Sequence, residues 1–233
     1  HKFWSRQGYQ PVYLRQTPSD VTGEFSAILI RPLDHEGNDE EDGATQTAPE
    51  WLVAFNSDFR QRFTALLGGA FRHVGPGLAL SVLAPKLNFN DDEKAKGAPA
   101  SAVRRSDGRP ITAHDVKRLE KYAQSLVDHH LVADLVPPLA RAFFAGQIPT
   151  SMSYSQVAIL LQLGLQYKEM DDVAKGLGLP TPQVMALYNK AMRKLHTALR
   201  TAKEREVEAA MPAGSVPELK PHAIGLDEDL EDG

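Results

Sequence analysis

Residues 11–32 read PVYLRQTPSDVTGEFSAILIRP, and the fold class turns on how this stretch is read. PVYL and FSAILI are apolar, aromatic and β-branched, so strands are expected over residues 9–14 and 25–31. Between them lies RQTPSDVTGE, dense in hydrogen-bonding side chains. Thr17, Pro18, Ser19 and Asp20 are good turn residues, and Gly23 supplies a permissive backbone. The connection is either an ordinary surface turn or the rim of an active site. Upstream, HKFWSRQG reads as the last turns of a helix closed by Gly8. Residues 1–33 therefore make a small α/β piece.

Beyond it the character changes. Residues 34–50 carry seven acids and no Lys or Arg, with Gly and Pro, which reads as an acidic disordered linker. From Trp51 the period becomes helical, with Leu52, Phe55, Phe59, Phe63 and Leu66 on one stripe. A short helix is expected near 77–84, then a second flexible linker over 86–110. Thr112 with Asp115 forms a capping box. It opens a helix whose apolar side carries Val116, Leu119, Ala123, Leu126, Val127 and His130. Pro137 and Pro138 should break or kink it. Ser153 with Gln156 is a second capping box, before VAILLQLGL. DDVAKGLG is a short helix stopped by glycine, and Thr181 with Pro182 caps a long helix to about 208. Its stripe of Val184, Leu187, Tyr188, Ala191, Leu195 and Leu199 is core. At about 100° per residue, Lys190, Arg193, Thr197 and Arg200 face the other way. The tail, 209–233, reads as acidic and disordered. The fold class is mainly α, with a small α/β remnant at the N-terminus and a helical domain over 51–208.

Composition sets the bounds. A chain of 233 residues that is 42% hydrophobic and 24% charged has the make-up of a globular protein with a core. No apolar run approaches the roughly 20 residues that span a bilayer, so no membrane partner is expected. There is no cysteine, which excludes disulfides and thiolate metal sites. The eight histidines show no metal-ligand spacing, and adjacent His129 and His130 would point apart on a helix, so no metal is expected. The chain begins at His1 within structure-like sequence, which suggests a fragment. Its net charge of −4 conceals an asymmetry. Residues 34–50 carry −7 and residues 217–233 carry −5, leaving the rest at +8. A basic body suits a polyanion, although a solvated surface gives the same count.

SQVAILLQLGLQYKEMDDVAKGLGLPTPQVMALYNKAMRKLHTAL has the helix, short helix, turn and long helix of a helix-turn-helix, as in bacterial sigma factors. The reading end would be Thr181, Pro182, Gln183, Ala186 and Asn189, which is poor in cations. The chain has no GxxxxGK[ST] or GxGxxG loop and no Ser/His/Asp signature.

KFWSRQGYQPVYLRQTPSDVTGEFSAILI closely resembles the eukaryotic RNA cytidine acetyltransferase family. FWSRQGYQPVYL alone is similar to the closing section of GNAT-type acetyltransferases. The resemblance continues through WLVAFNSDFRQRFTALL, ITAHDVKRLEKYAQSLVDHHLVADLVPPLARAFF and SQVAILLQLGLQYKEMDDV. It implies N4-acetylation of cytidine in small-subunit ribosomal RNA and some transfer RNAs, with acetyl-CoA. It implies a nucleolar, hence nuclear, location, ribosome-assembly proteins as partners and a possible homodimer. An ATP-using module and the pyrophosphate loop would lie upstream, so this fragment alone is expected to be inactive. On this reading Asp20 or Glu24 serves as base or base-positioner, Arg15 and Gln16 touch RNA, and Arg6 approaches the CoA phosphates. Turn duty is as good an account of the loop residues, and an exposed helix cation of Arg6. RNA phosphates would meet Arg60, Arg62, Arg104, Arg105, Arg109, Lys117, Arg118, Lys121, Lys190, Arg193, Lys194 and Arg200. The family's GEHS is GEFS here, with Phe25 in place of His, and its Asn before Asp is Ser19. The alternatives are a helix-turn-helix DNA-binding regulator and a non-catalytic assembly scaffold.

Overall fold

The computed structural model describes residues 2–32, 49–83 and 98–211. The acidic linker, the first part of the second linker and the acidic tail fall outside the described residues, apart from Pro49, Glu50, Ala209, Ala210 and Met211. Described helix dominates, with one two-stranded sheet, as the composition and periodicity led us to expect.

The N-terminal piece is helix α1 (Lys2–Arg6) and an antiparallel hairpin of β1 (Gln10–Leu14) and β2 (Ala27–Ile30). Gly8 turns the chain from helix to strand at φ 78°, and the Tyr9 N–H closes the turn on the Trp4 carbonyl at 3.1 Å. That left-handed value is why glycine stands there. Tyr13 pairs with Ile28, and the register slips between Pro11 and Tyr13. Proline, lacking an N–H, is tolerated at such an irregularity. Val12 is buried, while Tyr13 and Ile28 are exposed on the other side.

The hairpin rests on α2 (Glu50–Leu66), where the Asn56 amide donates to the Pro11 carbonyl at 2.9 Å. Leu52, Phe59 and Phe63 of α2 are buried as its stripe predicts, but Phe55 is exposed. After α3 (Pro76–Leu83) the description resumes at Ala98. Residues 98–110 correct the linker reading. They form a 3₁₀ turn (Ala100–Ala102), bury Val103 and bridge Arg104 to Pro110. Val103 supplies the apolar burial and Glu206, accepting from the Ser101 N–H at 2.8 Å, the polar partner, neither of which polar composition reveals.

Thr112 caps α4 (Ala113–Ala123) through the expected reciprocal box with Asp115. The helix does not run on to the prolines. It stops at Gln124, Ser125 takes φ 61°, and a 3₁₀ helix (His129–Leu135) follows. Leu126 and His130 are consequently exposed. Pro137 and Pro138 lie in the first turn of α5 (Val136–Phe144), where their missing N–H groups cost nothing. Helix α6 (Tyr154–Gly164), capped by Ser153 and Gln156, is the centre of the core. Val157 to Leu161 are all fully buried, so this helix is apolar nearly all round. Helices α7 (Met170–Leu177) and α8 (Thr181–Ala210) follow, separated by Gly178 at φ 65°. The N-cap of α8 is Pro180 rather than Thr181, whose hydroxyl donates to Asp171 instead.

Candidate functional site

The polar loop between the strands is a well-bonded turn. The Arg15 N–H donates to the Ser26 carbonyl at 2.9 Å, extending the ladder. The Ser19 N–H donates to the Glu24 carbonyl, and the Gly23 N–H to the Ser19 carbonyl, each at 2.8 Å. The Ser19 hydroxyl accepts from the Val21 and Thr22 N–H groups. Asp20, Glu24 and Gln16 are exposed, and Arg15 is half-buried. The backbone thus holds two carboxylates out into solvent, where they are open to hydrogen bonds from a partner. Phe25, at the end of the loop, lies against His73, ring centroids 5.3 Å apart. Arg6 is exposed at the end of α1.

The predicted cations divide by their partners. Arg60 is buried, so it is not a surface phosphate contact. One of its nitrogens donates to the Leu83 carbonyl, and burial pulls its pKa down. Its place on the apolar side of α2 beside Phe59 removes it from the surface. Arg105 and Arg118 are also committed inward. Each meets the Asp115 carboxylate at 2.7 Å, and Arg118 further reaches Asp134 at 2.8 Å. Asp115 is buried, which pushes its pKa up. Hydrogen bonds from the Thr112 N–H and hydroxyl and the two guanidinium groups outweigh that and hold it well below the carboxylate range.

Arg62 pairs with Asp58 at 2.9 Å and Arg200 with Glu204 at 2.8 Å, both exposed. Arg193 donates to the Ala123 carbonyl at 3.0 Å, closing the C-terminal end of α4 where a cation suits the helix dipole. Lys194 donates to the Ser151 carbonyl at 2.7 Å. Arg104, Arg109, Lys117, Lys121 and Lys190 are exposed and make no ion pair among the described residues. Lys117 and Lys121 are one turn apart on α4 and share a side.

A cavity of about 240 Å³ lies where α4 meets α8, lined in part by Tyr122, Asn189 and Arg193. The Tyr122 hydroxyl donates to Asn189, and burial pushes its pKa up to about 12, aided by Asp128 and opposed by Arg193. Asn189, a supposed base reader, is therefore occupied within the fold. At the mouth, His129 and His130 do not point apart, because they sit on a 3₁₀ helix with ring centroids 3.9 Å apart. With Asp128 they bring three ligand atoms within 4.8 Å of one another, a set able to hold a metal ion.

Residues 51–233 match the family model described as "Possible tRNA binding domain", and residues 1–34 match "GNAT acetyltransferase 2". The chain belongs to the family described as a possible tRNA binding domain. It is 38% identical over 232 residues to an RNA cytidine acetyltransferase of Mus musculus, covering 99% of this chain and 21% of that protein. The Homo sapiens RNA cytidine acetyltransferase is 37% identical over 234 residues, covering 99% of this chain and 21% of that protein. That of Schizosaccharomyces pombe is 35% identical over 242 residues, covering 100% of this chain and 22% of that protein. The chain thus spans about a fifth of the length of the relatives it matches.

In this family member, sequence reasoning passed over Arg72, Arg141, Tyr167 and Lys168. Arg72 and Tyr167 are 95 residues apart in the chain yet hydrogen-bonded. LGGAFRHVGPG and LARAFFAG read only as a glycine-bearing stretch and a helix. No short-range pattern links them.

Proposed function

We propose that this chain is the RNA-holding part of an RNA cytidine acetyltransferase, together with the edge of its acetyltransferase domain. The observation that carries the reading is the seat of the hairpin on the helical domain, through Asn56 to Pro11 and Phe25 to His73. One body thereby joins an acetyltransferase segment to a possible tRNA-binding segment. RNA held by the helices lies beside the polar loop. We infer cytidine N4 as the acceptor, in small-subunit ribosomal RNA and some transfer RNAs, with a role in ribosome assembly. Nucleolar placement, contact with ribosome-assembly proteins and pairing with a second copy belong to the same proposal.

The chemistry asks for particular groups. The lone pair of an exocyclic amine is delocalised into the ring, so cytosine must be unstacked and aimed at the acyl carbonyl. The amine must also lose a proton, and Asp20 or Glu24 offers the carboxylate to take or position it. Acetyl-CoA supplies the acyl thioester. On this chain Arg6, exposed at the end of α1, is the cation suited to its phosphates. ATP has no phosphate loop in this sequence to hold it.

The test is binding across a salt series. Transfer RNA should bind more tightly than duplex DNA of equal length, with log K falling by about 0.7–0.9 per phosphate contact per log unit of salt. Equal or tighter duplex binding would favour the helix-turn-helix regulator instead. Incubated with acetyl-CoA and RNA, the 233-residue chain should form no acetylcytidine, and product by mass spectrometry would refute the assignment of a partial active site.

A further inference from the structure

Two arginines outside the predicted set meet Tyr167, and a lysine outside it follows in the chain. Tyr167 follows α6 at φ 51°, a left-handed conformation rare for a bulky side chain. Such strain persists where the surroundings impose it, and it concentrates at functional sites. Here the imposing groups are visible. Arg72 donates to the Tyr167 carbonyl at 2.9 Å, and Arg141 donates to its hydroxyl at 2.7 Å. Gly68 lies against the ring, where a Cβ would stand 2.7 Å from its edge. Tyr167 is nevertheless 47% exposed, although held at its backbone carbonyl and at its hydroxyl.

Lys168 comes next in the chain. Burial and then Arg72 hold its pKa below the usual lysine value, with Asp172 opposing. Unlike Arg62, Arg105, Arg118 and Arg200, none of Arg72, Arg141 and Lys168 makes an ion pair among the described residues. Arg141 also lines a cavity of about 530 Å³ between α2 and α5, with Gln61, Thr64, Phe144 and Arg60. One Arg60 guanidinium nitrogen is buried there with no partner among the described residues. On the other side, Arg72 adjoins His73, which meets Phe25, the residue after Glu24. A continuous run of contacts thus leads from the polar loop to the cavity.

We propose that Tyr167, flanked by Arg72 and Arg141, is a stacking platform for an unpaired nucleotide of single-stranded RNA. The adjoining cavity takes a neighbouring nucleotide, and the cations meet the phosphates between. This rests on the RNA-binding reading above. A ring whose hydroxyl and whose own backbone carbonyl are each hydrogen-bonded loses little entropy when a base stacks on it, and every base offers a π face. Cations without carboxylate partners need break no ion pair to meet a phosphate. A cavity of this volume falls in the range that encloses small ligands.

Fluorescence anisotropy with a labelled oligocytidylate tests the platform on the 233-residue chain. Tyr167→Leu should weaken binding by about 5- to 100-fold, whereas Tyr167→Phe should retain most of it. Arg72→Gln with Arg141→Gln should reduce the salt slope by about 1.4. Circular dichroism checks that each variant folds. Independently of any variant, an oligocytidylate carrying one 4-thiouridine should crosslink under ultraviolet light to Tyr167 or the α5 wall of the cavity. If the wild-type chain binds RNA and Tyr167→Leu binds equally well, the platform is wrong and the RNA-binding reading stands. Crosslinks confined to α4 and α8 overturn it in the same way. If the wild-type chain binds no RNA, both readings fall together.

Discussion

Asp115 shows how one side chain ties local to distant sequence. Its carboxylate caps its own helix through Thr112 and takes two guanidinium groups, one three residues on and one ten residues back. The cap was legible because it is local. Arg105 looked like a linker cation because its partner lies across a turn. Asp115→Ala should destabilise the fold by about 2–4 kcal/mol in urea titration, since it removes a cap and the buried carboxylate that Arg105 and Arg118 share, leaving Arg118 its pair with Asp134. The sign with pH follows from the depressed folded pKa. The contribution is full above the unfolded carboxylate value of about 3.9 and is lost as pH falls through it toward the folded value. The urea midpoint of the wild type should therefore drop below about pH 4, and Asp115→Asn should flatten that drop. Gly164 is the converse case, a residue chosen for its missing side chain. A Cβ there would collide with the Ala140 Cβ and stand 3.2 Å from the Val136 carbonyl. Gly164→Ala should cost about 1–3 kcal/mol by forcing α5 off α6, seen as a lower urea midpoint.

Among the elements, the long helix α8 does two jobs. Its first five turns bury Val184, Tyr188, Ala191, Met192, Leu195 and Leu199 in the core. Its last turns hold the chain near Ala100. Glu206 accepts from the Ser101 N–H at 2.8 Å and from the Ser101 hydroxyl at 2.7 Å, and Lys203 adds an ion pair. The Ser101 N–H and then Lys203 bring the Glu206 pKa down to about 2. Glu206→Ala should speed amide exchange at residues 100–103 while leaving α6 protected, read by hydrogen–deuterium exchange mass spectrometry. Unchanged exchange would mean that Val103 alone anchors the segment. Capping boxes and glycine stops placed most helices correctly because they are contiguous signals. The break at Gln124 escaped because Leu126 and Val127 continue the apolar period, although Leu126 is exposed.

Val12 of the hairpin and Leu52 of α2 are buried outside the main core of the helical domain, so the stabilities of hairpin and domain should separate. Phe25→Ala together with Asn56→Ala should speed exchange along β1 without moving the melting temperature of the helical core. A common shift would mean that the two fold as one cooperative unit. Large apolar groups remain exposed on the hairpin side, including Phe3, Trp4, Tyr13 and Ile28. The strands, most of the helical stripes, the capping boxes of α4 and α6 and the family kinship were written in the sequence, because each depends on residues close together in the chain. Which cations face solvent, that residues 98–110 are folded, and that Arg72 and Arg141 converge on Tyr167 were decided only by tertiary structure. Those facts depend on which distant residues share a boundary, and burial and charge pairing are properties of neighbours in space.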